Sequence, residues 1–374
     1  MSKPSKKLFI ASTRQHVGKT TTCLGLLSGF KKKTEHVSYM KPIGQEHVLV
    51  KKGLLVDKDV LLFKNHFQLK SHLKNMSPVL IPHGFTRDFL DQKITVQELI
   101  HKIKKAYDAL NQDNDFILFE GTGHCGVGSI VDLNNAQVAK ILKSPILLIA
   151  SGGLGSSFDE LMLNKTLCDF HGVKVIGVIL NRVLPEKKEM VVHYMTQALK
   201  RWDIPLIGCI PFDPLLSNPT MKDFETLFET KLLTGEKHLF FHFTNIRLVA
   251  TSVENYRDTI LPSQLLITPA NREDIILATL TKRWEEPHAP YKTGMILTGD
   301  YPPRHYIVEE LKRADIPMLY TPQHSHGAMQ LINSFTAKIQ NEDIEKVNEA
   351  IQLVENQIDF PLLHSLIDSY TQIT

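Results

Sequence analysis

An excess of charge of one sign is missing from this sequence. Its 374 residues carry 43 Lys and Arg against 40 Asp and Glu, a formal net charge of +3. A balance this even gives no electrostatic footprint for nucleic acid, and none is expected as a partner. The most basic run, Lys31-Lys32-Lys33, follows a predicted helix and complements the negative end of its dipole. Cysteine is also sparse: four residues, at 23, 125, 168 and 209, with no CxxC spacing. They read as free thiols of a reducing compartment, which argues against a disulfide framework or a zinc site. Long apolar runs are missing too. No stretch is long enough to span a bilayer, and the basic N-terminus leaves no room for a signal peptide's apolar region. The expectation is a cytoplasmic protein with no membrane partner.

One further absence is local. The stretch FIASTRQHVGKTTTCLGL, residues 9–26, ends like a phosphate-binding loop in Gly18-Lys19-Thr20, yet Thr13 stands six residues before the lysine where such a loop usually opens with glycine. Such loops surround phosphate with backbone N–H groups and a helix N-terminus, and the lysine adds a point charge. The threonine after it offers a hydroxyl to Mg²⁺. Ser12 and Thr13 can donate hydroxyls, but neither adopts positive φ cheaply, so the chain must enter the loop by another path.

What is present is the composition of an ordinary globular protein, 43% hydrophobic and 22% charged, in a chain long enough for two domains. Short apolar runs alternate with amphipathic stretches: 8–11, 36–43, 115–124, 144–153, 173–183 and 204–213 as strands, with helices over 18–30, 59–75 and 94–110. The pattern predicts an α/β fold with a doubly wound, mainly parallel sheet, whose ligands sit outside the carboxyl ends of the strands. The candidate positions are therefore Ser12 to Thr20, Lys41 to Gln45, Glu120 to His124, Ser151 to Gly155, Asn181 and Asp213. Pro42 stops its strand and leaves Lys41 at the crevice. Glu120 ends an apolar strand before a Gly-Thr-Gly turn, the form of a Mg²⁺ ligand. His124 reads as a general base or a polar loop residue, without partners for zinc.

The alternation loosens after Asp213 and resumes on a smaller scale at 246–252, 264–280, 294–300 and 316–323, with an acidic helix over 341–356. The expected organisation is a nucleotide-binding domain over 1–215, a bridge over 216–244, a smaller α/β domain over 245–357 and a tail over 358–374. Asn271-Arg272-Glu273-Asp274 opens a helix that offers N–H groups to an anion. His324 and His326 form an H-x-H pair without an evident third ligand.

Taken in order, ASTRQHVGKTTTCLGL, VSYMKPIGQ, DFILFEGTGH, GVILNRV and IPFDPLLSNPT resemble the P-loop proteins of the dethiobiotin synthetase type. Cobyrinic acid a,c-diamide synthases are more distant relatives. The nearest likeness is the N-terminal region of bacterial phosphotransacetylases. LLITPANREDIILATL, GMILTGD and TAKIQNEDIEKVNEAIQLV resemble the DRTGG domain that follows there. The likeness stops where the acetyltransferase domain of those proteins begins, so acetyl transfer is not expected of these residues.

The resemblance implies a P-loop NTPase domain followed by a DRTGG-like domain. It implies ATP or another NTP with Mg²⁺, held by Ser12, Thr13, Val17, Gly18, Lys19, Thr20 and Thr21. Thr20, Glu120 and either Asp57 or Asp59 would bind the metal; a helix N-cap explains at least one of the two aspartates equally well. Lys19 and Lys41 would act on the phosphates, Asn181 would hydrogen-bond the base, and Asp213 would line the base pocket. Dethiobiotin-synthetase-type loops place a glycine seven residues before the lysine, where this chain has Ser12, and Gln45 departs from the substrate-side pattern, which speaks against dethiobiotin synthesis. Arg14 matches the spacing of the extra loop lysine in partition-type ATPases, but the paired glycines those need are missing.

Two functions fit. One is an NTP-dependent hydrolase or ligase that activates a small carboxylate by phosphoryl transfer. The other is a non-catalytic nucleotide-sensing module for a metabolic partner enzyme. A homodimer or higher homo-oligomer follows from the relatives alone.

Overall fold

The computed structural model describes residues 5–50, 53–285 and 292–373. The reading of the basic N-terminus falls partly on residues 1–4, outside that range. Two compact units emerge, Met1–Phe212 with Ile339–Thr374, and Asp213–Lys338.

The first unit is built on six parallel strands: β1 (Lys6–Ser12), β2 (Val37–Met40), β7 (Phe116–His124), β8 (Ile146–Ser151), β9 (Val175–Val183) and β10 (Leu206–Pro211). Their order is β10-β9-β8-β1-β7-β2. Both faces are covered, so the strands read as continuous apolar runs; Leu8 to Ala11 and Ile117 to Phe119 are fully buried. Two small pairs decorate this sheet, β3 (Ile43–Gly44) with β6 (Val79–Leu80), and β4 (His47–Leu49) with β5 (Leu55–Asp57). The chain leaves β1 toward β7 and β2 on one side and builds β8, β9 and β10 on the other. That reversal opens a crevice at the carboxyl end of β1.

The helix Lys19–Lys31 follows β1 directly. An added Cβ at Gly25 would meet Val354 Cβ at 2.4 Å, and one at Gly29 would meet the Phe360 ring at 2.0 Å. These two glycines share a helix face. They let the helices Ile344–Glu355 and Phe360–Ile373 pack close to it, and Phe30 adds ring contacts to Phe360 at 6.0 Å and His364 at 4.8 Å. Those two C-terminal helices, read from sequence as the end of the second domain and a tail, therefore lie with the first unit. The predicted helix over 59–75 is in fact two, Lys58–His66 and Leu73–Met76, separated at Phe67 to His72.

The second unit holds β11 (Leu232–Thr234), β12 (Asn245–Leu248), β13 (Gln264–Pro269), β14 (Gly294–Thr298) and β15 (Met318–Thr321), in the order β11-β15-β14-β13-β12. β11 alone runs antiparallel, against β15. Tyr256, Ile275, Leu280, Ile307 and Leu311 build the core on one face, and Met221, Phe224 and Ile332 build it on the other. Residues 216–244, read from sequence as a bridge, supply the helix Met221–Leu227 and the strand β11 to this unit.

Candidate functional site

Residues 13–18 join β1 to its helix at the crevice. Positive φ occurs at His16 (58°) and Gly18 (93°), while Ser12 and Thr13 keep negative φ. The turn that a first glycine would make has moved four residues on from Ser12. Gly18 has a second reason to be glycine, since a Cβ there would meet Asn181 Nδ2 at 2.2 Å.

Other elements fix the loop. Thr13 N donates to Ile149 O at 2.9 Å. Thr13 Oγ1 donates to Glu160 Oε2 at 3.1 Å, and Arg14 pairs with the same carboxylate. Asn164 Nδ2 donates to Thr13 O at 3.2 Å, and Asn181 Nδ2 to Val17 O at 2.7 Å. Asn181 Oδ1 accepts from Arg182 N at 2.9 Å.

Lys19 donates to Ser12 Oγ at 2.9 Å and to the Gly123 carbonyl at 2.7 Å. Burial lowers its ammonium below the ordinary lysine value; Glu120 opposes that shift and Lys41 adds to it. Thr20 Oγ1 lies 2.9 Å from Glu120 Oε1 and 3.5 Å from Asp59 Oδ2. Thr21 follows in the same first turn, and Val17 is buried beneath the loop.

Glu120 sits at the end of the buried run of β7. Tyr39 donates to its Oε2 at 2.8 Å, and the Tyr39 ring stacks on Phe63 at 3.7 Å. Burial raises the Glu120 carboxyl; Lys41 opposes this and Asp59 reinforces it. Burial and the Glu120 charge together raise Cys23 and Tyr39 well above their ordinary values.

Lys41 lies at the carboxyl end of β2, as its place before Pro42 suggested. Its ammonium pairs with Asp59 and, at 3.2 Å, with Asp57 Oδ1. Burial would lower its pKa, but Asp59, Glu120 and Asp57 outweigh burial and raise it well above the lysine range. Asp57 caps the helix Lys58–His66 by accepting from Asp59 N at 3.0 Å, so the capping role falls to Asp57. Its Oδ2 is buried without a hydrogen-bond partner, and burial raises its pKa against the pull of Lys41.

The structure thus gathers Ser12, Lys19, Thr20, Lys41, Asp57, Asp59 and Glu120 at one end of the sheet, with Asn181 behind the loop. Asp213 belongs to the second unit, where it caps the helix Pro214–Ser217 by accepting from Leu216 N at 3.1 Å. His124 is exposed and accepts from Gly126 N at 3.1 Å. In the second unit Arg272 forks onto Asp274 through two bonds of 2.8 Å, and His324 and His326 are exposed. Among the described residues no group of three or more His, Cys, Asp or Glu is disposed to hold a metal ion. Tyr39, Glu160 and Asn164 escaped the sequence reading. Each acts through side-chain bonds to residues far off in the chain, which leave no spacing signal.

Comparison with known proteins agrees with this architecture. Residues 6–220 match the AAA domain family, and residues 226–335 match the DRTGG domain. The phosphate acetyltransferase of Nitratidesulfovibrio vulgaris is 26% identical over 95% of this chain, and that of Synechocystis sp. is 26% identical over the same share. The chain spans about half the length of these relatives, 51% of each. The ATP-dependent dethiobiotin synthetase of Methanocaldococcus jannaschii is 27% identical over 59% of this chain and 98% of its own length. The resemblance read from the motifs is therefore borne out, as is the mainly parallel α/β fold with a DRTGG domain after it. No helix among the described residues is long and apolar enough to cross a membrane.

Proposed function

This chain belongs to the AAA domain family, and from that premise we propose that it binds a nucleoside triphosphate together with Mg²⁺ at the loop Ser12 to Thr21. The observation that carries the reading is the 2.9 Å approach of the Thr20 hydroxyl to the Glu120 carboxylate, directly beside the Lys19 ammonium. A hydroxyl and a carboxylate are hard oxygen donors. Mg²⁺ usually takes one or two protein oxygens and fills its remaining positions with water and phosphate. Thr20 and Glu120 would supply those protein oxygens, with Asp59 beyond Thr20. The bound cation would favour the ionised form of Glu120, which burial alone disfavours. Lys19 would exchange the Gly123 carbonyl for a phosphate oxygen, and the N-terminus of its helix would add N–H groups.

Turnover is the finer question. In the enzymatic reading, Lys41 would stabilise charge on a phosphoryl group moving to a small carboxylate. Its pairing with Asp59 and Asp57 favours the second reading, a non-catalytic module that senses nucleotide on behalf of a metabolic enzyme. A homo-oligomer, expected from the relatives, belongs to the same proposal.

Calorimetric titration of Mg-ATP and Mg-GTP into the wild type and Lys19→Ala tests the reading. Binding that disappears in the variant supports it, and a phosphate-release assay then separates enzyme from sensor. A wild type that takes neither nucleotide at millimolar concentration overturns it.

A further inference from the structure

The loop meets an anion only if its N–H groups face inward and its carbonyls face away. Extra glycine normally gives a backbone that freedom, and here Gly18 is the sole glycine between Ser12 and Lys19. Two asparagines from other elements touch the loop, both at carbonyl oxygens. Asn164, on the helix Gly155–Phe170, donates to Thr13 O at 3.2 Å; Asn181, at the end of β9, donates to Val17 O at 2.7 Å. A planar trans peptide points the C=O of one residue and the N–H of the next in opposite directions. Holding Thr13 O on one side therefore aims Arg14 N–H to the other, and holding Val17 O does the same for Gly18 N–H. Neither N–H has a hydrogen-bond partner among the described residues.

The asparagines are themselves fixed. Asn164 Oδ1 accepts from Cys125 N at 3.0 Å and Asn181 Oδ1 accepts from Arg182 N at 2.9 Å, which settles which end of each amide donates. Both residues are buried, at 8% and 4% exposure. Asn181 Nδ2 also lies where a Cβ on residue 18 would stand, so asparagine and glycine are matched as a pair.

We propose that Asn164 and Asn181 are positioning residues for the phosphate loop: by holding the Thr13 and Val17 carbonyls outward, they replace the missing glycine and present the Arg14 and Gly18 N–H groups to a polyphosphate. The inference rests on the nucleotide reading above and gives Asn181 a different role from the base contact implied by the resemblance. A base-reading Asn181 matters only to ligands with a base. A loop-positioning Asn181 matters to any polyphosphate.

The test titrates inorganic tripolyphosphate, ATP and GTP, each with Mg²⁺, into the wild type, Asn181→Ala, Asn181→Asp and Asn164→Ala, and follows amide exchange of residues 13–19 without ligand. Asn181→Asp keeps the side-chain shape while placing an oxygen where Nδ2 donates. The expected result is about tenfold weaker tripolyphosphate binding in each variant, the size of one neutral hydrogen bond. ATP and GTP should weaken equally, so their affinity ratio stays constant, and the loop amides should exchange faster. Unchanged tripolyphosphate affinity with an altered ATP-to-GTP ratio in the Asn181 variants would overturn the proposal. If the wild type binds none of the three ligands, the nucleotide reading fails, and loop exchange alone decides the positioning role. Faster exchange then supports it, and exchange like that of the wild type in all three variants overturns it.

Discussion

Lys19 Nζ lies 2.7 Å from the Gly123 carbonyl oxygen, so the loop lysine is tied across the crevice to the strand end that carries Glu120. A phosphate must draw it away. Lys19→Met is expected to weaken Mg-nucleotide binding on the order of 10- to 100-fold, the range for hydrogen bonds to a charged group. It should leave the melting temperature equal or higher, because a buried cation is replaced by an apolar chain of similar length. Calorimetry and thermal melts check both halves; undiminished binding removes Lys19 from the site.

Gly18→Ala is expected to cost about 1–3 kcal/mol, from a side chain at φ 93° and a Cβ that meets Asn181 Nδ2 at 2.2 Å. Urea unfolding measures it. A change below about 0.5 kcal/mol, the usual range for a surface substitution, would mean that the loop has another conformation.

Lys41→Ala strands the buried carboxylate of Asp57 and the partly exposed one of Asp59. Stability is expected to fall by about 3–5 kcal/mol, the cost of breaking a buried pair from one side. Adding Asp57→Asn and Asp59→Asn should restore part of it. A double-mutant cycle in denaturant reads the coupling, and strict additivity would deny the pairing.

His364 packs edge-on to Phe30 at 4.8 Å with its Nε2 buried and without a hydrogen-bond partner. Burial lowers its pKa below 6.5; Lys33 and Lys6 add to this, and Asp368 opposes it. The unfolded chain therefore takes up a proton near pH 6.5 that the folded chain resists. Stability from neutral His364 is present above that pH and declines as pH falls toward the lowered folded value. Wild type and His364→Leu should show a melting-temperature difference that shifts against the wild type between pH 7.5 and 5.5. A difference independent of pH refutes the placement of His364.

Deleting residues 339–374 uncovers the Gly25 and Gly29 face of the loop helix. The shortened chain is expected to lose cooperative unfolding of the first unit and to expose apolar surface, read by differential scanning calorimetry and dye binding. A sharp transition of unchanged enthalpy for that unit would show that the C-terminal helices are dispensable.

The sequence made local features legible. The β1 run, Gly18-Lys19-Thr20 and the carboxylate ending β7 each show in a few adjacent letters, because strand burial, the helix start and the tight turn are set by neighbours. What it hid depends on distant partners. Nothing near Asn181 says that its amide reaches Val17, and nothing near Phe360 says that Gly29, more than 300 residues earlier, leaves room for it. The helical pattern over 59–75 likewise does not show the break before His72. Residues 216–244 looked like a bridge because their apolar residues serve two different elements, a helix and an edge strand, and follow no single period.

The second unit interrupts the first, entering after β10 and leaving before the helix Ile344–Glu355. On the ribosome this sets an order. The second unit is contiguous and can close as soon as its last strand and helix emerge, whereas the first waits until residues 339–374 have emerged, with a glycine-bearing groove on its loop helix unfilled. A nascent chain from which residues up to 338 have just emerged thus carries a finished insert inside an unfinished host. Ribosome stalling there would leave chaperones a defined apolar target, the face of residues 25–30.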